Sequence, residues 1–368
     1  MASNLHSNNS NKLNILNRET LSALNGIKGV SALMIVIYHY GHFLPPVYPY
    51  DQYLKTIYVY GHYFVDLFFI MSGLLFFGIS LPRIQTQRRS SEVSGDFIVH
   101  KYHKLFPLFF LTTGVVALFQ WILLYLTGEA FIHPADLYSL FLNIIGMQHV
   151  GLGRELAFNG PAWYLSVLMV CYYIYIYICR QINFGTLQIV VAIGVALFRI
   201  NSGIPFLQQQ VARGIVGFSM GGIIYFVAES SISKKRISAC SFAVLAMSIL
   251  LPAIFQQRGI DIVGEKQLYY MLVVWPALLA ICLTTEIIQR VLSARLFKCL
   301  GDLSYSVFLW QFPIEVIMVF FSRCLKQNID FSANSVWWIR LSATYGIAWL
   351  SNCYLEPWFS RERMTLSN

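Results

Sequence analysis

Lys28 and His39 lie eleven residues apart in the first apolar stretch of the chain. A helix advances about 100° per residue, so eleven steps return almost to the starting direction and the two side chains share a face. At 1.5 Å of rise per residue they stand about 16 Å apart along the axis. An ammonium can hold a phosphate as a point charge, and an imidazole can take a proton near neutral pH or act as a nucleophile. The plainer alternative is that Lys28 snorkels to an interface and His39 is an interfacial histidine near His42. His62 and Asp66 form a second pair, at i,i+4 on one face, suited either to acid–base work or to a structural anchor. Lys101 and Lys104 are three apart on one helical face, in His100-Lys101-Tyr102-His103-Lys104-Leu105-Phe106-Pro107. They can hold phosphates or simply anchor a loop.

Gly217-Phe218-Ser219-Met220-Gly221 fits the hydrolase pattern G-x-S-x-G. That chemistry needs a strand–turn–helix elbow, whereas small residues inside an apolar run more often let helices pack closely. The seven cysteines are scattered without C-x-x-C spacing, so neither a metal site nor a disulfide framework is expected.

The elements that must position these groups are membrane helices. The chain of 368 residues is 57% hydrophobic and 12% charged, against about 25% charged in a soluble domain. Apolar runs such as 64–79, 105–126 and 268–283 approach the length that crosses a hydrocarbon core of about 30 Å. An ionisable group there is costly, so each is a functional candidate by default. The expected fold is an all-α polytopic membrane protein of about ten spans. They fall near 24–44, 60–80, 104–126, 161–179, 186–203, 211–228, 239–256, 268–286, 300–321 and 337–357. The long connection 128–160 holds His133, His149, Arg154 and Glu155 and suits a re-entrant or interfacial element. Residues 1–23 read as a polar cytoplasmic tail without a signal-peptide pattern, 24–357 as one membrane domain, and 358–368 as a short cytoplasmic tail. No internal repeat and no second soluble domain is expected.

The net charge of +9 is gathered in short loops, for example Lys234-Lys235-Arg236 and Arg290, Arg295 and Lys298. That bias puts both termini in the cytoplasm and favours an even helix count. No basic stripe interleaved with aromatics suggests nucleic acid.

Five blocks in order resemble the acyltransferase 3 family of membrane O-acyltransferases, which act on polysaccharides, lipopolysaccharide, antibiotics and nodulation signals. Leu24-Asn25-Gly26-Ile27-Lys28-Gly29-Val30 through Tyr38-His39 is similar to the opening helix with its [R/K]-x10-H signature. Phe64-Val65-Asp66-Leu67-Phe68-Phe69-Ile70-Met71-Ser72-Gly73-Leu74 resembles G-V-D-x-F-F-x-x-S-G-F. Lys101 to Pro107 resembles R-x-x-R-I-x-P, and Pro161-Ala162-Trp163-Tyr164-Leu165-Ser166-Val167 resembles P-x-W-S-L-S-V. Gly301-Asp302-Leu303-Ser304-Tyr305-Ser306-Val307-Phe308-Leu309-Trp310-Gln311-Phe312-Pro313 is similar to G-x-x-S-Y-x-x-Y-L-W-H-x-P. Glu356-Pro357 resembles the closing acidic–proline pair. Lys replaces Arg at positions 28, 101 and 104, which keeps charge but loses the guanidinium fork. Leu168 stands where many members carry Glu. Gln311 replaces His, which removes a proton-transfer role at that position.

The resemblance implies about ten helices in a bacterial inner membrane. It implies an acetyl-CoA co-substrate reaching the site from the cytoplasm, with no tightly bound cofactor. His39 would carry the chemistry, as base or as acyl carrier, supported by Lys28, with the donor phosphates near Lys28, Lys101 and Lys104. Asp66, Ser304 and Glu356 would support the site. The acceptor would be a sugar hydroxyl on a lipid-linked or amphiphilic glycan: an O-antigen, an exopolysaccharide or a lipo-chitooligosaccharide nodulation signal. Trp163, Tyr305 and Trp310 can stack on sugar faces, although such residues also form interfacial belts. Rival readings are a glycan or lipid transporter without transferase activity, and a serine hydrolase using Ser219.

Overall fold

The computed structural model describes residues 15–44, 48–86, 91–132, 136–153, 157–178, 182–258, 261, 263–324 and 329–359. Most of the two expected tails lies outside the described residues, as do His133, Arg154 and Glu155. All regular elements among the described residues are helical.

The first helix, α1, spans Arg18–Phe43 and so begins earlier than expected. Asn17 caps it, its side-chain oxygen accepting from the Thr20 amide at 2.8 Å. Ile15 and Leu16, inside the expected polar tail, are buried against the bundle. The second, α2 (Asp51–Ser80), also starts early, and a 3-10 turn at Gly61–Tyr63 interrupts it. Next come α3 (Ser91–Thr127), with Pro107 inside it, the short α4 (Leu137–Ile144), and α5 (Trp163–Tyr173). They are followed by α6 (Phe184–Ile200), α7 (Gln209–Ala228), α8 (Lys234–Gln257) and α9 (Lys266–Thr284). The last are α10 (Glu286–Leu292), α11 (Arg295–Cys324) and α12 (Asn334–Leu350).

Among the described residues seven helices, α1, α2, α3, α7, α8, α9 and α11, are long and apolar enough to cross a membrane, and α6 is a shorter apolar helix. Helices also occupy the two other expected positions, at 163–178 and 334–355. The outer faces fit a lipid surrounding. Along α8, Phe242, Met247, Ile249, Leu250 and Ile254 are exposed, and only 17% of its most apolar window is buried. In water so large an apolar surface would drive association; in hydrocarbon it costs nothing.

The bundle has two neighbourhoods. In one, α11 is central, packing along α1, α3 and α12. In the other, α7 packs on α2, α5, α6 and α9, while α8 leans on α9. Small residues let the helices of each pair touch. A Cβ added at Gly29 would lie 2.4 Å from the Gly301 nitrogen, and one at Gly301 would lie 2.2 Å from the Asn25 carbonyl oxygen. At the α2–α7 contact, a Cβ on Gly73 would meet the Phe218 oxygen at 2.0 Å, and one on Gly221 the Ile70 oxygen at 2.1 Å. Without an apolar driving force between helices in lipid, such close van der Waals contact holds the bundle together.

The long connection is neither a span nor a free loop. Phe158 is fully buried between α3 and α11. The Asn159 amide donates to Thr112 Oγ1 at 3.1 Å and to the Leu309 carbonyl at 3.2 Å. Further back, the Val150 carbonyl accepts from the Phe206 amide.

The backbone contacts predict an asymmetric response to added side chains. Gly29→Leu should destabilise the protein by more than the 1–3 kcal/mol typical of overpacking, because backbone rather than a side chain must yield. Gly346→Ala, where nothing lies within 4 Å, should be close to neutral. Thermal unfolding in detergent distinguishes the two; equal midpoints would count against the contact.

Candidate active site

A cavity of about 590 Å³ lies at the end of the bundle where α1, α3 and α11 begin and α2 and α12 finish. It gathers Lys28 from α1, Lys101 and Lys104 from α3, Ser304 and Tyr305 from α11, and Glu356 just beyond α12. The Lys101 ammonium sits 5.2 Å from the ring centroids of both Phe97 and Tyr172, which fix it by cation–π attraction. The Tyr305 hydroxyl donates to the Leu105 carbonyl and ties α11 to α3. Ser304 bonds back to the Gly301 carbonyl at 2.7 Å, and Ser306 donates to Glu356. Asn25 donates to Asp302 at 2.7 Å on the cavity wall. Two π-helical turns border the space, Phe76–Ser80 and Ser351–Leu355, supplying Phe76, Ser80 and Asn352. Such turns shift the register of a helix and recur at functional sites. Leu168 forms part of the apolar wall.

His39 lies outside this cavity, three turns further along α1, and is buried. Its Nδ1 is 3.1 Å from Oε1 of Gln311, and its ring stacks on Phe43 at 5.5 Å. The Gln311 amide nitrogen donates to the Phe308 carbonyl at 3.0 Å. Phe308 is itself a cavity residue, so one turn of α11 separates Gln311, the partner of His39, from the cavity wall.

Beyond His39 lies an ion pair that the sequence reading did not single out. Arg340 bonds to Glu315 with both side chains almost wholly buried. A second guanidinium nitrogen donates to the Val36 carbonyl at 2.9 Å, and the guanidinium sits 5.0 Å from the Tyr40 ring centroid. Arg340 therefore clamps α12 to α11 and to α1, one turn before His39.

Asp66 does not serve His62. Its two oxygens accept from Arg213 Nε and from Gln267, each at 3.0 Å. Full burial explains the choice: a carboxylate there requires a cation. The Arg213 guanidinium also covers the Trp163 ring at 4.9 Å, and His149 lies 5.7 Å from the same ring. Burial, then the Arg213 charge, pushes the His149 imidazole down to about 4. The three aromatics expected to stack on sugar stand in different surroundings. Trp163 carries Arg213, Tyr305 lines the lysine cavity, and Trp310 is buried in the hydrophobic core. Ser219 lies inside α7, donating to the Ile215 carbonyl at 2.7 Å and paired with the Tyr175 hydroxyl, with no strand before it. Among the described residues no cluster of His, Cys, Asp and Glu could hold a metal.

The sequence carried a signal for Arg213, Glu315 and Arg340, since each is a charge inside an apolar run. Their partners, 147 and 25 residues away, are set by packing alone.

Two outcomes follow from these buried groups. Arg340→Met leaves Glu315 buried and unpaired, at a cost of about 3–5 kcal/mol, whereas adding Glu315→Leu should recover much of it. Denaturation of both variants checks this, and a double variant no better than the single one would refute it. His149 should stay neutral in the folded protein, so its stabilising contribution is complete above its ordinary value of 6.5 and declines as pH falls toward about 4. His149→Gln should therefore lose less thermal stability than the parent between those pH values.

The family model described as an acyltransferase domain matches residues 21–353. Neither a curated protein nor a solved structure matches the chain. The match begins in the first turn of α1 and ends in the final π turn, so it takes in nearly all of the helical bundle, His39, and every lining residue of the cavity but Glu356: the chain belongs to the acyltransferase 3 family of membrane acyltransferases.

Proposed function

We propose that the protein is a membrane O-acetyltransferase that moves an acetyl group from acetyl-CoA to a sugar hydroxyl of a lipid-linked or amphiphilic glycan. The observation that carries this reading is the cavity that brings Lys28, Lys101 and Lys104 together at the foot of the helix bearing His39. Three ammonium groups around about 590 Å³ suit a nucleotide with several phosphates, and the volume falls within the 300–1,000 Å³ usual for ligand sites. The residues fit acetyl-CoA as a co-substrate, with its phosphates on the lysines and its thioester arm directed along α1. The arm must span about 16 Å to reach His39. Phe68 and Phe308 line the cavity on that side, and Phe68 packs on α1 beside Ala32 and Val36.

In this reading His39 takes the proton of the acceptor hydroxyl. The oxygen attacks the thioester carbonyl, the carbon–sulfur bond breaks, and the thiolate recovers the proton from the imidazole. The products are an acetyl ester and free CoA. We take ten spans, adding 160–178, 184–200 and 334–355 to the seven long helices, in a bacterial inner membrane with both termini cytoplasmic. The basic loops favour that orientation, and it places the lysine cavity on the side where acetyl-CoA is made.

The test is glycan acetylation, followed by mass spectrometry in cells and with acetyl-CoA in membranes. His39→Ala should abolish the acetyl increment at normal protein levels. Lys101→Gln and Lys104→Gln should each raise KM for acetyl-CoA about tenfold, the loss of one charged contact, with kcat little changed. Full acetylation by His39→Ala would overturn the reading. Glycan export that persists in that variant and without any acetyl donor would favour a transporter instead.

A further inference from the structure

We infer that Gln311 is a positioning residue that fixes the tautomer of His39, so that Nε2 is the atom presented to the acceptor hydroxyl. This rests on the proposed role of His39 as the proton acceptor.

An amide side chain offers donors on nitrogen and an acceptor on oxygen. The Gln311 nitrogen is committed to the Phe308 carbonyl at 3.0 Å, an atom that can only accept. Turning the amide over would set oxygen against oxygen. The amide oxygen therefore faces His39, 3.1 Å from Nδ1. An oxygen that only accepts requires a hydrogen on Nδ1, and in a neutral imidazole the lone pair then lies on Nε2. Gln311 is fully buried, so bulk water does not compete for either bond.

The backbone holds this pairing in place. Residues 29 and 301, which touch backbone to backbone, differ by the same offset of 272 as His39 and Gln311. Two helices running parallel with one constant offset over ten residues leave the amide little freedom to slide. Arg340 locks the same level, bonded to Glu315 one turn beyond Gln311 and to the Val36 carbonyl one turn before His39.

The chemistry follows from which atom is free. The hydroxyl proton passes to Nε2 as the oxygen attacks the thioester carbonyl. When the carbon–sulfur bond breaks, the thiolate takes that same proton from Nε2, and the neutral Nδ1–H tautomer returns. Gln311 neither gains nor loses a proton. This restores a role at a position where the replacement of His by Gln removed proton transfer: the amide orients the base without titrating.

The assignment can be read without any turnover. In protein labelled with nitrogen-15 histidine and held in nanodiscs at pH 8, the signal absent from His39→Ala identifies His39. We expect its Nδ1 to be protonated and its Nε2 unprotonated. Gln311→Met keeps the length but removes the acceptor; it should scramble the tautomer and lower kcat about 10- to 100-fold, the usual effect of removing an orienting partner, with KM for acetyl-CoA unchanged. Gln311→Glu, which also accepts, should keep kcat far closer to the parent. An Nε2-protonated His39 in the parent protein, or parental kcat in Gln311→Met, would overturn the inference. If a variant fails to fold, the parent spectrum still decides. Full activity in His39→Ala would instead sink the proposed function, while leaving the tautomer to the spectrum.

Discussion

The contact between the backbones of α1 and α11 at Gly29 and Gly301 is the constraint on which the site depends. No side chain separates the helices there, so their spacing and register are fixed by main-chain atoms. Lys28 sits beside that contact and faces the cavity, and ten residues further on the same register delivers His39 to Gln311. A one-turn slip would oppose His39 to Phe308 or to Glu315 in place of an amide. Small residues in membrane helices are usually credited with stability; here they also set alignment.

The cavity has a different origin. No single helix makes it: its cations come from α1 and α3, its hydroxyls from α2, α5 and α11, and its carboxylates from α11 and the end of α12. At this end, π turns in α2 and after α12 offset the side chains that line the opening. Bonds from Tyr305 to Leu105 and from Ser306 to Glu356 tie the walls of the space to one another.

What the sequence made legible follows the range of the physics involved. The shared face of Lys28 and His39 is local helix geometry, so spacing alone revealed it. Membrane character is a property of composition and needed no contacts. The gathering of Lys101, Tyr305 and Glu356 with Lys28 is long-range, and only the order of motifs along the chain hinted at it. Asp66 shows the limit. Its i,i+4 neighbour His62 was the visible partner, yet burial demanded a cation, and packing supplied Arg213 from 147 residues away. The start of α1 was misplaced for a simpler reason: a polar composition around Ile15 and Leu16 hid two residues that the bundle buries. The helices at 163–178 and 334–355 were legible as helices, but neither is among the seven that are both long and apolar enough to cross a membrane.

The two buried ion pairs, Asp66 with Arg213 and Glu315 with Arg340, each sum to zero charge. A membrane voltage does work only on net charge that moves through its field, about 2.3 kcal/mol per elementary charge for each 100 mV. A rearrangement that carries either pair as a unit is therefore blind to the potential, whichever way the helices shift. An isolated Arg213 or Glu315 at the same depth would make every breathing motion of the bundle a voltage-dependent event. Paired in place, these four interior charges add no voltage dependence of their own to any shift of the helices that carry them.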